Sequence, residues 1–313
     1  MILVTGATGF IGRALIEYLA EMNRYQIRAC SRSHYDTDLA SVEHVSIEDV
    51  SSETDWKKAL ESVDTVVHTI ARVHVMNDSC NDPLVEFRRV NTEATIKLAR
   101  QASELGVKRF IYLSSIKVNG EQSGVDNCFR ASDAPSPVDP YAVSKKEAEE
   151  ALLTLASTSE MEVVIIRPPL VYGPGVKGNL ASMVNMVEMG FPLPLGSVKN
   201  KRSLVGIDNL IDLIVTCMGH PEAANKIFLV SDDHDLSTTE LLKLLGSAMG
   251  KAPFLFKFPP DILSFGLRAL GKFGVAQRLL YNLQVDLSET KEILDWHPPV
   301  GVEEGLRRCF IEH

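Results

Sequence analysis

Short runs of β-branched and aliphatic residues recur along the chain and alternate with stretches of helical period, the pattern of repeated βαβ units feeding a parallel sheet. The runs are ILVT at Ile2, QIRACS at Gln26, EHVSI at Glu43, DTVVHT at Asp64, RFIYLSS at Arg109 and EVVIIRP at Glu162. Between them, RALIEYLAEM after Gly12, DWKKALES from Asp55, PLVEFRRVNTEATIKLARQASELG from Pro83 and YAVSKKEAEEALLTLA from Tyr141 predict helices. After Arg167 the punctuation changes. RPPLVYGPGVKG and GFPLPLG supply turns and irregular connections, so a smaller mixed lobe is expected from there. The pattern divides the chain into an α/β domain over residues 1–170 and a lobe mainly over 171–313, with the chain free to cross back to the sheet.

With 313 residues, 45% hydrophobic and 23% charged, the chain can bury a large core. Its formal charge of −9 and pI near 5.4 give no general attraction to phosphate backbones or anionic lipid, which argues against nucleic acid and membrane-surface binding. Five scattered cysteines, with no C-x-x-C and no Cys/His metal spacing, fit a reduced cytoplasmic compartment and no metal site. No signal-peptide pattern precedes the first strand, and no apolar stretch is long enough to span a bilayer. The most hydrophobic late segment, FLFKFPPDILSFGLRALGKFGVAQRLL, is interrupted by Lys257, Asp261, Arg268 and Lys272 and reads as a buried or substrate-lining helix, its other reading being a membrane contact.

The first strand runs into three glycines, Gly6, Gly9 and Gly12, spaced G-x-x-G-x-x-G before a helix. A strand, a glycine turn and a helix in that order let the backbone approach a pyrophosphate while helix N-terminal N–H groups meet its charge. Phe10 and Ile11 belong to the same cradle. The second strand ends Ser31-Arg32, with no acid where a ribose 2′-hydroxyl ligand is expected. A serine and a guanidinium suit a 2′-phosphate, so the pattern leans to NADP; the other reading of Arg32 is a solvated loop charge.

Tyr141 and Lys145 stand four apart in YAVSK and so share a helix face. A nearby ammonium stabilises tyrosinate and lowers the phenol pKa, making Tyr141 a candidate acid/base. At a strand end 26 residues earlier, Ser115 offers a hydroxyl to the same substrate oxygen.

With these residues in place the chain resembles the extended short-chain dehydrogenase/reductase family, in its nucleotide-sugar epimerase, reductase and dehydratase branch. The resemblance is nearly full length: TGATGFIG, VVHTIARVH, LSSIKVNG, YAVSK, RPPLVYGPG, KGNL, NKRSLVGIDNLIDLI and SETKEILDWHPPVGVEEGL. It implies a Rossmann-type doubly wound sheet carrying NAD(P), a C-terminal lobe binding a nucleoside-diphosphate sugar, usually UDP-linked, and hydride transfer at the sugar C4. It implies Ser115, Tyr141 and Lys145 as the catalytic triad, with Lys145 also holding the nicotinamide ribose. Asp49 falls where the family has an acid near the adenine, and Ala71 and Pro168 fall in segments passing the cofactor. Asn179 and Arg202 match the family's diphosphate ligands, with Arg278 a second phosphate arginine. The family often forms homodimers through the helices beginning near Pro83 and Tyr141.

Two departures sort the reactions. Where dehydratases of the family follow the active-site hydroxyl with Asp-Glu, this chain has Ile116-Lys117, which argues against 4,6-dehydration. The usual V-Y-G is Val118-Asn119-Gly120, which leaves the substrate pocket open. Lys117 is a candidate substrate contact, its other reading being a side chain in solvent. The missing acid after the second strand favours a 4-ketoreductase, and ARVHVMND, SSIKVNGE and RPPLVYGPGVKGN resemble reductases of UDP-4-keto-6-deoxy-N-acetylhexosamines serving surface polysaccharide synthesis. The alternative is a UDP-sugar 4-epimerase that retains NAD. A non-catalytic NADP-binding regulator is disfavoured because Ser115, Tyr141 and Lys145 are all kept. His68, His74 and His234 show no metal spacing, His68 reading as packing or bonding to backbone. Met183, Met186 and Met189 read as core or pocket wall.

Overall fold

The structure is a computed structural model that describes residues 1–33, 35, 39, 41–73, 82–124, 127–176 and 178–310. The strands are β1 (Ile2–Thr5), β2 (Ile27–Ser31), β3 (Val42–Ser46), β4 (Thr65–His68), β5 (Arg109–Leu113), β6 (Glu162–Arg167), β7 (Leu170–Tyr172), β8 (Leu204–Gly206) and β9 (Lys226–Leu229). The helices begin with α1 (Phe10–Glu21), α2 (Lys57–Leu60), α3 (Pro83–Phe87), α4 (Ala94–Glu104), α5 (Pro140–Ala156) and α6 (Asn179–Met189). They continue with α7 (Ile207–Gly219), α8 (Thr238–Ala248), α9 (Pro260–Ala269), α10 (Phe273–Leu280), α11 (Ser288–Leu294) and α12 (Val302–Arg308).

Among the described residues one seven-stranded parallel sheet runs in the order β3-β2-β1-β4-β5-β6-β9. Parallel strands are covered on both faces, so their side chains alternate between two cores. Ile2 and Val4 enter the core packed by α1 and α7, and Leu3 the core packed by α2, α4 and α5. Ile111 and Val164 follow Val4, while Phe110, Tyr112, Val163 and Ile165 follow Leu3. Each fully buried Leu, Ile or Val contributes about 2 kcal/mol by leaving water. The strand order reverses direction between β1 and β4, which opens a crevice at the carboxyl ends of those strands.

The six strands expected from the hydrophobic runs are present, and β9 adds a seventh from the second half of the chain, with α7 packed beside it on the sheet. The rest of that half builds a third core of α6, α8 and α12 on the small β7-β8 sheet. The long helix expected from Pro83 is helical to Glu104 but contains a π-turn at Arg88–Glu93. Met183 is buried in the third core and Met186 half-buried against it, whereas Met189 is exposed because Gly190 ends α6 in a left-handed cap. The FLFKF segment departs most from expectation: α9 has no buried residue and α10 buries only Ala276. Pro259, Pro260 and Gly271 break the segment into two short helices that pack on each other, and its charges resist burial.

Candidate active site

The glycine turn is built by contact. Gly6 has φ +79°, and a Cβ on Gly12 would lie 2.2 Å from the Gly6 carbonyl oxygen, so only glycine lets α1 start this close to β1. Gly9 is the N-cap of α1 and brings no side chain to the first-turn N–H groups, which belong to Phe10, Ile11 and Gly12. Those groups lack a side-chain acceptor at the crevice mouth, and a pyrophosphate fits them. Thr69, in the loop after β4, donates to the Thr5 carbonyl (2.7 Å) and closes over Gly6.

That loop is held from the other side. The buried amide of Asn91, turned inward by the π-turn, accepts from the Arg72 N–H (2.7 Å) and donates to the Arg72 carbonyl (3.0 Å) and to Ser144 Oγ on α5 (3.0 Å). Thr92 donates to the Ser144 carbonyl (2.8 Å). Half-buried Ala71 is thereby fixed between the sheet and the helix that carries Tyr141 and Lys145. π-turns are frequent at functional sites, and this one ties one wall of the crevice to another.

α5 begins at Asp139, whose carboxylate accepts from the Ala142 N–H (2.7 Å) as N-cap, with Pro140 at its first turn. Tyr141 is half-buried and meets the Phe87 ring edge-on at 6.0 Å. Lys145 is buried, donates to the Leu113 carbonyl at the end of β5 (2.8 Å) and lies 4.5 Å from the centre of the Tyr112 ring. Ser115 follows β5 by two residues, and its hydroxyl stands close enough to the Tyr141 phenol to act on its ionisation. The structure therefore brings Ser115, Tyr141 and Lys145 together at one strand end. Ile116 N–H donates to the carbonyl of buried Pro168 (3.0 Å), which fixes the serine loop against the end of β6.

The electrostatics differ from expectation. Burial pushes the Tyr141 phenol up to about 12, opposed by the Ser115 hydrogen bond, and pulls the Lys145 ammonium down to about 7, opposed by Glu149. A lowered phenol pKa was expected from the neighbouring ammonium. Lys145 instead points at a backbone carbonyl, and desolvation of the phenol dominates. Beneath Lys145, Glu149 forms a buried pair with Arg167 (2.6 Å) and accepts from Ser114. Arg167 also donates to Asn119 (2.9 Å), which in turn donates to the Arg130 carbonyl (2.8 Å). The unusual Asn119 is thus part of the support under the site, with no role in lining a pocket evident from its contacts.

The remaining predicted residues scatter. Ser31 is buried and donates to the Ser33 carbonyl (2.6 Å), while Arg32 is exposed beside it. Asp49 is exposed and paired with Arg89 (3.1 Å), its carboxyl held low first by the Val50 backbone N–H and also by Arg89. Lys117 does not point into solvent: its ammonium bridges Glu121 (2.8 Å) and Asp139 (2.7 Å). Arg202 donates to the Tyr281 carbonyl (3.1 Å), and burial lowers it to about 10, Glu121 opposing and Arg278 reinforcing the shift. Arg278 is exposed on α10, near enough to Arg202 to be felt. Asn179 opens α6, but its side chain and His74 lie outside the described residues.

His68 is buried, but its partners are hydroxyls and not backbone: Thr5 Oγ1 at 2.7 Å and Thr95 Oγ1 at 3.0 Å. Burial drives it down to about 3, so it stays neutral. Sequence reasoning missed Asn91, Glu149 and Arg167. Glu149 follows Lys145 by one helical turn, and Arg167 closes an apolar strand where a charge needs a partner, so both carried a signal; Asn91 carried none.

The chain matches the NAD dependent epimerase/dehydratase family over residues 2–231. It is 47% identical over 308 residues to a UDP-glucose 4-epimerase of Vibrio cholerae, covering 98% of this chain and 93% of that protein. In fold it is similar to a UDP-glucuronic acid 4-epimerase from Bacillus cereus in complex with NAD, at TM-score 0.78 and 21% identity over 98% of this chain and 94% of the other. It is similar too to MoeE5 in complex with UDP-glucuronic acid and NAD, at TM-score 0.78 and 23% identity over 97% and 96%.

Proposed function

The chain belongs to the NAD dependent epimerase/dehydratase family and is an NAD-dependent nucleotide-sugar enzyme of that family; within it, we propose that it is a UDP-hexose 4-epimerase that keeps its NAD bound. The observation that carries this is the meeting of Ser115, Tyr141 and Lys145 at the end of β5, in a chain 47% identical to a UDP-glucose 4-epimerase. Gly6, Gly9, Phe10, Ile11 and Gly12 would hold the pyrophosphate and Lys145 the nicotinamide ribose, with Ser31, Ala71 and Pro168 along the cofactor's path. Asp49 is the weakest member of this set, because it is turned to Arg89.

Tyr141 is the acid/base at the C4 oxygen, oriented by Ser115 on one side and Phe87 on the other. Bound NAD supplies a hydride acceptor that can return the hydride to either face of the sugar carbon. Lys145, one helical turn along α5 and held on the Leu113 carbonyl, is the ammonium available to stabilise tyrosinate. Arg202, Arg278 and Asn179 take the diphosphate of the UDP group, and Lys117 holds Asp139 and so the first turn of α5. A homodimer through α4 and α5 is the expected assembly, resting on the family resemblance. Among the described residues no helix is long and apolar enough to cross a membrane.

One observation favours a second reading, a 4-ketoreductase using NADPH in surface polysaccharide synthesis: β2 ends in Ser31-Arg32 with Arg32 exposed and no acid at that position. Denaturing the purified protein and identifying released nucleotide separates the two. Near-stoichiometric NAD, with UDP-glucose and UDP-galactose interconverted without added reductant, is the expected result. Empty protein that consumes NADPH on a UDP-4-keto sugar would replace the epimerase with the reductase.

A further inference from the structure

The α9–α10 segment leaves a large apolar surface in water. Phe254, Phe256, Ile262, Phe265, Leu270 and Phe273 are all exposed, Phe265 by 74% and Leu270 by 73%. Ile262 and Phe265 stand three apart on α9 and so share a stripe, while Leu263 packs toward the third core. The backbone of Leu193 pairs with Phe254 and Phe256, which brings Phe191, itself exposed by 64%, to the same edge. Scattered exposed apolar residues are ordinary, but a contiguous aromatic and aliphatic face marks an interaction surface.

The charge around this face is opposite to that of the chain. Between residues 251 and 281 stand Lys251, Lys257, Arg268, Lys272 and Arg278 against the single carboxylate of Asp261, a net of +4 in a chain of −9. All five cations are exposed, and among the described residues none of them is ion-paired. Arg268 holds its guanidinium 5.0 Å from the centre of the Phe273 ring and donates to the Tyr281 hydroxyl, which ties α9 to α10. Exposed phenylalanines and leucine flanked by long basic side chains, on two short helices lying along the surface, are the features of an interfacial membrane anchor.

We propose that the α9–α10 face docks this protein peripherally on an anionic lipid bilayer, the aromatic side chains entering the headgroup boundary and Lys251, Lys257 and Lys272 meeting lipid phosphates. Pairing between two copies is the poorer occupant, since a two-fold contact sets this +4 segment against itself. Because α10 also carries Arg278, docking turns the proposed diphosphate cations toward the membrane side of the molecule.

Flotation of the full chain with phosphatidylcholine vesicles, with and without phosphatidylglycerol, tests this. Binding is expected only to the anionic vesicles and should be lost as salt is raised from about 0.05 to about 0.5 M. Phe265→Ser/Leu270→Ser and, separately, Lys257→Glu/Lys272→Glu should each lower the bound fraction about tenfold or more. Both pairs are exposed, so far-UV circular dichroism, thermal midpoint and turnover of soluble nucleotide sugar should be unchanged, which keeps this test separate from that of the catalytic reading. Failure of the wild type to float with anionic vesicles, or equal flotation of wild type and both variants, overturns the proposal. A drop in native mass of the Phe265→Ser/Leu270→Ser variant without wild-type vesicle binding overturns it in favour of a contact between copies.

Discussion

Two cations, one in each half of the molecule, are held in opposite ways. Lys145 lies under the sheet crevice with its ammonium on the Leu113 carbonyl, above a closed set of buried partners, Glu149, Arg167, Ser114 and Asn119. Arg202 in the lobe donates to the Tyr281 carbonyl, and between the carboxylate of Glu121, which favours its charge, and Arg278, which opposes it, burial still dominates. The first cation stands over a network of paired charges; the second lies beside another arginine, with a single carboxylate, Glu121, acting on it. The contrast teaches that the catalytic half is preorganised by the protein, whereas the proposed diphosphate site is completed by what it binds.

The sharpest break of this comparison is at the reacting centre. Tyr141→Phe should reduce kcat by about a thousandfold or more, in keeping with the loss of a positioned acid/base, while the released nucleotide stays stoichiometric. Unchanged turnover would remove Tyr141 from its assigned role.

Next comes the support below Lys145. Arg167→Met strands the buried Glu149 carboxylate and should lower stability by about 3–5 kcal/mol in denaturant titration, a loss that exposed pairs such as Arg307 with Glu304 would not show. Replacing Glu149 by Leu in the same chain should recover most of it, because no unpaired charge then remains buried.

In the lobe the effect should fall on binding. Arg202→Ala is expected to raise KM for the UDP-sugar about ten- to a hundredfold with kcat within about threefold, since its guanidinium acts on the diphosphate and not on C4. A selective loss of kcat would move Arg202 into the catalytic half of the comparison.

The smallest effect concerns protons. Lys145 is depressed from its ordinary 10.5 to about 7, so between those values the unfolded chain binds more protons than the folded one, and stability rises with pH. Below about pH 7 both states are protonated and the full penalty applies. In thermal melts of nucleotide-free protein, the wild type should therefore gain stability relative to Lys145→Met as pH is raised from about 7 to about 10. A constant difference across that window would show that burial does not perturb the ammonium.

Local pattern was enough to read much of this protein. The runs that became β1, β2, β4, β5 and β6 are buried on both faces, and that constraint leaves largely apolar stretches in the sequence, while edge strand β3 is partly exposed. The glycine turn was readable because a Cβ at Gly12 has no room, and the Tyr141–Lys145 pairing because a helix repeats every 3.6 residues. The raised phenol pKa, the pairing of Lys117 with Glu121 and Asp139, and the exposure of the α9–α10 face were not readable. Each depends on which distant segments arrive: the Leu113 carbonyl that holds Lys145, the carboxylates that collect Lys117, and, among the described residues, the lack of any element packed over Phe265. Periodicity and steric limits act between neighbours in the chain, so the sequence by itself determined the elements and the order of the crevice residues. Desolvation and charge pairing depend on the whole surrounding volume, so only the tertiary structure decided the protonation of the site and the surface it leaves open.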